Sequence, residues 1–481
     1  MPVLFQSILP ELLLLILALV LFVFEPFWKG ERPRSGWVTF YGLLLIMILS
    51  LLFGTPQASQ ETFGGMIRFD WFAFLFKMLF LFGAALTALF FMDHEVLAKR
   101  GEAYLLLLAS TLGMCLMASA NDLVMLYLAI ETTSIPLYVL AGFFLHEERS
   151  TEAGFKYLFF GALTSAVMLY GLSLLFGFAG TTSLPALGAM FSSGQLSLGV
   201  LLGILALITI GLAFKVSVAP FHFWAPDVYH GAPTAVAGFL STASKAAGFA
   251  VLLRLFLVAF PTAQVPWPLL LAILAALTMT IGNLLALPQT NLKRLLAYSS
   301  IAHAGYVLIG VVAATQLGIT SVIFYLIAYL LTNLAAFGIV MVLGNVLGSD
   351  EVTAYNGLSR RSPWLALAML VAFLSLAGMP PFGGFVAKVF VFAAGVQAGY
   401  TWLVFVGVLN SIVGLYYYLN VMKYVYLYRL PGEDEEKHPI ALSRATAIGL
   451  GVLILGVVLF GTVFAPWFGL SEQAASVMLL R

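Results

Sequence analysis

Four lysines lie inside long apolar stretches of this 481-residue chain, at Lys156, Lys215, Lys245 and Lys388. A cation at the centre of a bilayer costs about 2.5–3.5 kcal/mol on insertion scales, so such side chains face one another, acidic partners or water. Two of them lie beside prolines that interrupt a helix, in the segments KVSVAPFHFW and MPPFGGFVAK. Ionisable residues next to broken membrane helices are typical of proton and ion pathways.

Two carboxylates are candidate partners for these lysines. Glu131 lies in the apolar segment LYLAIETTSIPLYVL, where a nearby lysine would hold it ionised. Lys215 is its natural partner, and a neutral Glu131 bonded to a hydroxyl is the alternative. Glu152 and Lys156 are four residues apart and share a helical face, so they form either part of the pathway or a plain ion pair at the membrane interface.

Histidine and further lysines extend this set. His303 titrates near neutrality and suits a proton relay, although a histidine bonded only for packing is the alternative. Lys245 lies among small residues, and because burial disfavours its charged form it suits proton exchange near neutral pH. Lys293 marks the cytoplasmic interface, from which its flexible stem can reach inward. We therefore predict a lateral chain of protonatable groups near the midplane, formed by Glu131, Lys156, Lys215, Lys245, His303 and Lys388.

Composition indicates an integral membrane protein. The chain is 62% hydrophobic and 9% charged, against about 25% charged in soluble domains. Apolar runs long enough to cross a bilayer as helices recur throughout. We predict fourteen, near residues 7–28, 37–54, 70–92, 103–119, 122–143, 155–178, 200–219, 232–259, 266–287, 297–314, 319–343, 363–393, 401–428 and 444–467. The first is not a cleavable signal peptide, because it lacks a basic n-region and carries Glu11.

The predicted spans form two blocks of five, spans 4–8 and 9–13. An odd number of spans makes the second block enter from the opposite side, so related blocks would be inverted repeats. Spans 7 and 12, the fourth of each block, both carry a lysine and a proline break. We therefore expect an all-α membrane fold with N-terminal helices in residues 1–102, a first repeat in 103–260, a second, inverted repeat in 261–430 and a C-terminal helix in 431–481.

Basic residues predict the orientation. Apart from those within spans or at the last residue, only Arg68 falls in an even-numbered connection. By the positive-inside rule the odd connections are cytoplasmic, and both termini lie on the opposite side. The basic residues in or beside odd-numbered connections are Lys29, Arg32, Arg34, Lys99, Arg100, Arg149, Lys293, Arg294, Arg360, Arg361, Arg429, Lys437 and Arg444.

Several chemistries are excluded. A single cysteine, Cys115, permits no internal disulfide and cannot hold an iron–sulfur cluster, which needs about four ligands. No P-loop and no GxGxxG after a strand is present, so we expect no NADH or ATP site of a recognisable kind. No basic run indicates nucleic acid. The energy for moving a proton against a membrane potential must then come from a partner or a second ion.

Longer motifs resemble a known family, the antiporter-like subunits of respiratory complex I and of Mrp-type cation/proton antiporters. The Glu131 helix, FKVSVAPFHFWAPDVYHGAPTAVAGFLSTASKAAGFA, KRLLAYSSIAHAGY and LAGMPPFGGFVAK carry the resemblance. AYSSIAHAGY is typical of the N-type subunits, and Lys388 counts against the M-type, which usually has Glu there. The chain also ends soon after span 14, without the long lateral helix of the L-type.

This resemblance implies a proton-translocating membrane subunit of a bacterial NADH:quinone oxidoreductase, in the inner membrane. It implies a Glu131–Lys215 ion pair in an inlet half-channel, Lys245 as central relay and Lys388 as terminal donor. NADH, FMN, iron–sulfur clusters and quinone would be handled by other subunits, with no cofactor on this chain. Expected partners are membrane-arm subunits such as the M-type and K, together with lipids and protons. A subunit of a Mrp-type Na+/H+ antiporter is the alternative.

Overall fold

The computed structural model describes residues 2–28, 34–192, 197–260, 265–428 and 440–479. Helices dominate this part of the chain. They are α1 Val3–Ser7, α2 Leu9–Phe24, α3 Arg34–Phe53, α4 Trp71–Phe91, α5 Gly101–Ser119, α6 Leu123–Ala141, α7 Glu148–Ala179, α8 Leu184–Ser192, α9 Leu198–Val216, α10 Trp224–Gly231, α11 Thr234–Phe239, α12 Lys245–Ala259, α13 Trp267–Ala286, α14 Leu292–Ala313, α15 Gln316–Leu347, α16 Leu358–Arg361, α17 Pro363–Ala377, α18 Gly383–Gln397, α19 Thr401–Tyr426, α20 Arg444–Thr462 and α21 Ala465–Leu479.

Each predicted apolar run coincides with helix. Among the described residues, thirteen helical segments are long and apolar enough to cross a membrane, and the shorter pair α17 and α18 occupies the predicted twelfth span. Four of the basic residues used to predict the orientation lie outside the described residues: Lys29, Arg32, Arg429 and Lys437. Two predicted domain boundaries, at residue 261 and at residues 430–431, also lie outside them. The protein is an all-α, multi-pass membrane protein.

Several helices begin at an Asp or Asn that caps the first backbone amides. Asp70 accepts from Ala73 N at 2.8 Å before α4, and Asp122 accepts from Val124 N at 2.8 Å before α6. Asn291 caps α14 in the same way, through the amides of Lys293 and Arg294. These side chains satisfy amide groups that a helix leaves without partners, which fixes where the helices start.

Both predicted proline breaks are present. The helix α9 ends at Val216, where Ser217 adopts a left-handed conformation with φ of 60°, and α10 begins only at Trp224. The helix α17 ends at Ala377, followed by Gly378 with φ of 84°, and α18 begins at Gly383. Lys215 lies before the first break and Lys388 after the second.

Freed backbone groups at the first break find polar partners. Trp224 Nε1 donates to the carbonyl of Phe214 at 3.1 Å, and Ala219 N donates to Thr278 Oγ1 at 3.0 Å. At the second break, the amide of Gly384 donates to Ser375 Oγ at 3.1 Å. A side chain at Gly384 would collide with the Ser375 carbonyl, so only glycine permits this approach. Such groups must be satisfied internally because lipid offers no hydrogen bonds.

The span after the first break contains a feature that the sequence did not predict. Between α11 and α12, residues Leu240–Ser244 form a π-helical turn that ends directly before Lys245. Such turns occur mostly as single bulges in α-helices, often at functional sites. The small and hydroxyl-bearing residues LSTAS occupy this turn, and the helix around it is buried on nearly all sides.

Two further elements were also missed. A short antiparallel pair, β1 Gln60–Thr62 and β2 Ile67–Phe69, joins α3 to α4, with Gln60 opposite Phe69. After α20 the chain forms α21, contrary to our expectation that α20 would be the last helix. The helix α21 packs along α15, where Gln316 Nε2 donates to the Glu472 carbonyl at 3.1 Å. Its sequence, APWFGLSEQAASVML, is interrupted by the polar residues Ser471, Glu472, Gln473 and Ser476, so it lacks the long apolar run from which the spans were predicted.

Candidate functional site

Lys215 lies near the C-terminal end of α9 and is 5% exposed. Its Nζ donates to Ser134 Oγ of α6 at 2.9 Å. The carbonyl end of a helix carries partial negative charge, which favours a cation there. Lys215 is therefore held by a hydroxyl and by a helix terminus beside the first break.

Glu131 lies one turn before Ser134 on α6. Its Oε1 accepts a hydrogen bond from Ser165 Oγ of α7. The direct Glu131–Lys215 ion pair that we predicted is wrong, because no such contact within 4 Å is formed between these two described residues. The two serines take its place, although Glu131 and Lys215 still interact electrostatically. A hydroxyl partner for Glu131 was the alternative that the sequence left open.

Lys245 lies at the end of the π-helical turn and faces α14. Its Nζ donates to the carbonyl of Ser300 at 2.9 Å and to Ser300 Oγ at 2.8 Å. The ammonium also lies 5.9 Å from the centre of the Tyr229 ring, a distance at which a cation–π interaction operates. Among the described residues no carboxylate bonds to this lysine, which is 3% exposed.

His303 is buried in the middle of α14 with a hydroxyl at each ring nitrogen. Nδ1 lies 2.7 Å from the Tyr325 hydroxyl of α15, and Nε2 lies 3.4 Å from the Tyr418 hydroxyl of α19. Tyr418 is in turn hydrogen-bonded to Ser299 Oγ. A histidine with polar partners on both nitrogens can gain or lose a proton, which a histidine packed among apolar groups cannot do at similar cost.

Lys388 lies on α18 and reaches back across the second break. Its Nζ donates to the carbonyls of Leu376 and Ala377 at 3.1 and 3.0 Å, and to Ser411 Oγ of α19 at 2.9 Å. The ammonium also lies 4.9 Å from the centre of the Tyr306 ring. Lys388 therefore caps the last carbonyls of α17, which the break leaves without helical partners.

Lys156 differs from the other three lysines. Glu152 Oε1 and Asp227 Oδ2 lie 2.6 and 2.7 Å from Lys156 Nζ, and Arg294 Nη1 lies 2.8 Å from Asp227 Oδ1. The Lys156 side chain is 32% exposed, so its predicted place among the buried midplane cations is wrong, while the Glu152–Lys156 ion pair is confirmed. Partial burial raises the pKa of Asp227, but hydrogen bonds from Lys156 and Arg294 outweigh it and hold that pKa below its ordinary value.

The Lys293 side chain reaches into the protein interior, as we predicted from its flexible stem. Although it begins the first turn of α14 at the predicted cytoplasmic side, it is 7% exposed. Its Nζ donates to the carbonyl of Ala232 at 2.9 Å, just after α10 ends. Lys293 thus ties α14 to the short helix of the first break.

Sequence reasoning missed two buried ion pairs. Lys77 Nζ of α4 lies 2.7 Å from Glu11 Oε1 of α2, with both side chains buried. Arg254 of α12 makes a bidentate pair with Asp70, with Nη1 and Nη2 each 3.0 Å from a carboxylate oxygen. Arg254 is fully buried. Two features of the sequence could have revealed these pairs. Glu11, Lys77 and Arg254 are charged residues within apolar runs, and Asp70 stands directly before a helix, where it caps the first turn.

The site holds no obvious metal centre. Within the described ranges, no cluster of three or more His, Cys, Asp or Glu side chains could hold a metal ion. The groups brought together are ammoniums, hydroxyls and carbonyls. The ammoniums and hydroxyls can pass protons along hydrogen bonds, whereas the carbonyls only accept hydrogen bonds. Three of the predicted residues, Lys215, Lys245 and Lys388, are buried beside a break or a π-helical turn, and charges on Lys245 and Lys388 both act on His303.

Comparison with known proteins identifies the class. Residues 120–414 match the family described as NADH:quinone oxidoreductase/Mrp antiporter, TM. The chain is 45% identical to the NADH-quinone oxidoreductase subunit N of Moorella thermoacetica, with 91% of each chain covered. It is 43% identical to the NADH-quinone oxidoreductase subunit N 1 of Roseiflexus castenholzii, with 98% of each covered.

Solved structures agree. A chain of respiratory complex I from Thermus thermophilus with bound aureothin has a TM-score of 0.81 and 34% identity, over 96% of this chain and 98% of that chain. A chain of the Mrp complex from Dietzia has a TM-score of 0.86 at 21% identity, over 98% and 97% of the two chains, a likeness of fold alone.

An all-helical membrane fold with buried lysines beside broken helices defines an antiporter-like membrane subunit. The chain belongs to the NADH:quinone oxidoreductase/Mrp antiporter family, on the branch of the NADH-quinone oxidoreductase N subunits. The resemblance inferred from the sequence is thereby confirmed. The protein is a membrane-arm subunit of a translocase complex.

Proposed function

We propose that this subunit translocates protons across the bacterial inner membrane, driven by quinone reduction elsewhere in its complex. One observation carries the proposal. Lys215, Lys245 and Lys388 are all buried, and each is held by hydroxyls or carbonyls rather than by a carboxylate. A buried lysine fixed by a carboxylate stays charged, whereas one held by neutral groups can release and regain a proton at lower cost.

In this proposal protons enter near Glu131 and Lys215, pass Lys245 and His303, and leave from Lys388. Lys293, Glu152 and Lys156 serve the cytoplasmic side, where protons are collected. A charge arriving at one lysine repels charge at the next, so neighbouring sites fill alternately. The proposed framework is a pair of inverted repeats, residues 103–260 and 261–430, each with a broken helix that supplies a polar cavity in the membrane.

The redox chemistry belongs to partner subunits in this proposal. NADH, FMN, iron–sulfur clusters and quinone would bind there, since the relatives are named as subunits of NADH-quinone oxidoreductase. The neighbours in the membrane arm would be M-type and K subunits, with lipids around them. Both termini of this chain would lie on the non-cytoplasmic side, in keeping with the charge asymmetry of the connections.

The test is proton pumping by the assembled complex in sealed vesicles. NADH oxidation should acidify or alkalinise the vesicle lumen, according to the orientation of the complex in the vesicle membrane. The rate should be the same in sodium-free and sodium-containing buffer. The Lys245→Met variant, assembled to the wild-type level, should lower the proton-to-electron ratio. Flux that requires sodium and proceeds without NADH would contradict the proposal and favour a Na+/H+ antiporter.

A further inference from the structure

Tyr418 of α19 joins two side chains on successive turns of α14. Its hydroxyl is hydrogen-bonded to Ser299 Oγ and lies 3.4 Å from His303 Nε2. Ser299 and His303 are four residues apart and therefore share one face of the helix. Tyr418 is 1% exposed, so bulk water cannot replace either partner.

The other ring nitrogen of His303 also meets a tyrosine, since Nδ1 lies 2.7 Å from the Tyr325 hydroxyl. A neutral imidazole has one donor and one acceptor nitrogen, whereas an imidazolium has two donors. When His303 takes up a proton, a hydroxyl that was donating to it must turn and accept. A buried hydroxyl can turn only if another acceptor receives its hydrogen, because an unpaired buried donor is costly.

Ser299 provides that acceptor for Tyr418. A serine hydroxyl can donate one hydrogen bond and accept others. When Nε2 is unprotonated, Tyr418 donates to His303 and accepts from Ser299. When Nε2 carries a proton, Tyr418 accepts from His303 and donates to Ser299, while Tyr325 accepts from Nδ1 in both states. Two hydroxyl hydrogens rotate, and the only covalent change is the proton gained or lost at Nε2.

We propose that Tyr418 is a positioning residue for proton transfer, and that the Ser299–Tyr418 pair keeps the Tyr418 hydroxyl hydrogen-bonded whether or not His303 Nε2 carries a proton. This inference rests on the proposed function. The separation of 3.4 Å is long for such a bond, as is common where a hydrogen bond tightens only when the proton is transferred.

Other ionisable groups surround His303. The rings of Tyr306 on α14 itself and of Tyr325 and Tyr329 on α15 pack around the imidazole, and the charges of Lys245 on α12 and Lys388 on α18 act on it electrostatically. Asp227 and His230 of α10 lie at the cytoplasmic end of α14, beside Arg294. The two lysines oppose a positive charge on His303, so each hydrogen bond that stabilises the imidazolium contributes to its formation.

The test is the pH profile of NADH-driven proton pumping by assembled complex in vesicles. Tyr418→Phe keeps the ring and removes the hydroxyl. A hydrogen bond to a charged group changes that group's protonation equilibrium about tenfold or more. Because the variant removes such a bond from the imidazolium of His303, proton pumping should decline at a pH about one unit lower than in wild type. Ser299→Ala should shift the profile in the same direction. Tyr104→Phe is the matched control, because its buried hydroxyl on α5 has no hydrogen-bond partner among the described residues, and it should leave the profile unchanged.

An unshifted profile in assembled Tyr418→Phe would overturn the inference. If that variant fails to assemble, Ser299→Ala decides in the same way, since it retains the tyrosine and its packing. Failure of the inference is distinguishable from failure of the proposed function. Lys388→Met and Lys245→Met that pump normally would refute the function, whereas defects in both, with an unshifted Tyr418→Phe, would refute only the role of Tyr418.

Discussion

Lys388 and Ala377 lie on opposite sides of the second helix break, and the lysine ammonium donates to the alanine carbonyl at 3.0 Å. The break therefore frees a carbonyl, and the cation on the following helix covers it. This contact joins backbone geometry to charge. A proton lost from Lys388 changes how the end of α17 is stabilised, because a neutral amine is a weaker partner for a helix terminus than an ammonium.

Replacing Lys388 by Met should abolish proton release to the outer side without preventing assembly. Methionine has a similar length but accepts no proton, so upstream sites could load while nothing leaves by this path. The carbonyls of Leu376 and Ala377 lose a partner, at a cost of about 1–3 kcal/mol each unless water replaces it. The measurement is the proton-to-electron ratio in vesicles, with the exposed Lys423→Met as control. An unchanged ratio would make Lys388 a packing residue.

Replacing Glu131 by Ala should impair pumping and slow NADH oxidation together, because a coupled enzyme stalls when one step is blocked. The change removes the carboxylate that acts on Lys215 and leaves Ser165 with only the Tyr127 hydroxyl, at 3.5 Å, as an acceptor. Both rates should be measured on the same vesicles, with Glu472→Ala, on the exposed side of α21, as control. Fully coupled NADH oxidation in the assembled variant would count against this role.

Ordered water should occupy the second break. His303, Tyr325, Ser375 and Gly384 border a cavity of about 10 Å³ there, about the smallest volume that holds one water, and buried polar cavities hold bound water when two or more groups can bond to it. A cryo-electron microscopy map of the whole complex at a resolution that shows water should reveal density in this cavity and beside Pro220. A map that shows continuous helices and no water density at both positions would contradict a role for the broken helices in proton transfer.

Replacing Asp70 by Asn should strongly destabilise the end of the fold at which α4 begins. The change leaves Arg254 fully buried without its carboxylate, and breaking a buried pair in this way costs about 3–5 kcal/mol. The amount of assembled subunit and its thermal stability should both fall, whereas the exposed Glu102→Gln should change neither. Wild-type stability of Asp70→Asn would show that the pair is dispensable.

Replacing Asp227 by Asn should cause a small, pH-dependent loss of stability. The pKa of Asp227 in the folded protein lies below its ordinary value of about 3.9. Its ion pairs therefore stabilise the fold above that pH, and the contribution disappears as the pH falls through the folded pKa. Because the group is one-third exposed, the loss at neutral pH should be about 1 kcal/mol or less.

The fraction of subunit that stays folded after heating should be lower for Asp227→Asn than for wild type at neutral pH, and this difference should shrink as the pH is lowered below about 3.9. The control is Glu152→Gln, which removes only the more exposed partner of Lys156. Equal retention of wild type and Asp227→Asn at neutral pH would show that the Lys156–Asp227–Arg294 contacts do not stabilise the fold.

The sequence by itself determined the membrane-spanning helices, both breaks and the buried lysines beside them. These features are local: an apolar run of sufficient length, a proline that removes a backbone donor, and a charge within apolar surroundings. The long family motifs around Lys215, Lys245 and His303 determined the family in the same way.

Only the tertiary structure decided which groups meet. The Asp70–Arg254 pair joins residues 184 positions apart, and Lys215 bonds to Ser134 rather than to Glu131 one turn away. Partner choice depends on how each helix is rotated and shifted against its neighbours, which packing of both helices sets and no local signal encodes. For the same reason an apolar run containing Lys156 could not show that this side chain lies at a partly exposed surface, paired with Glu152 and Asp227.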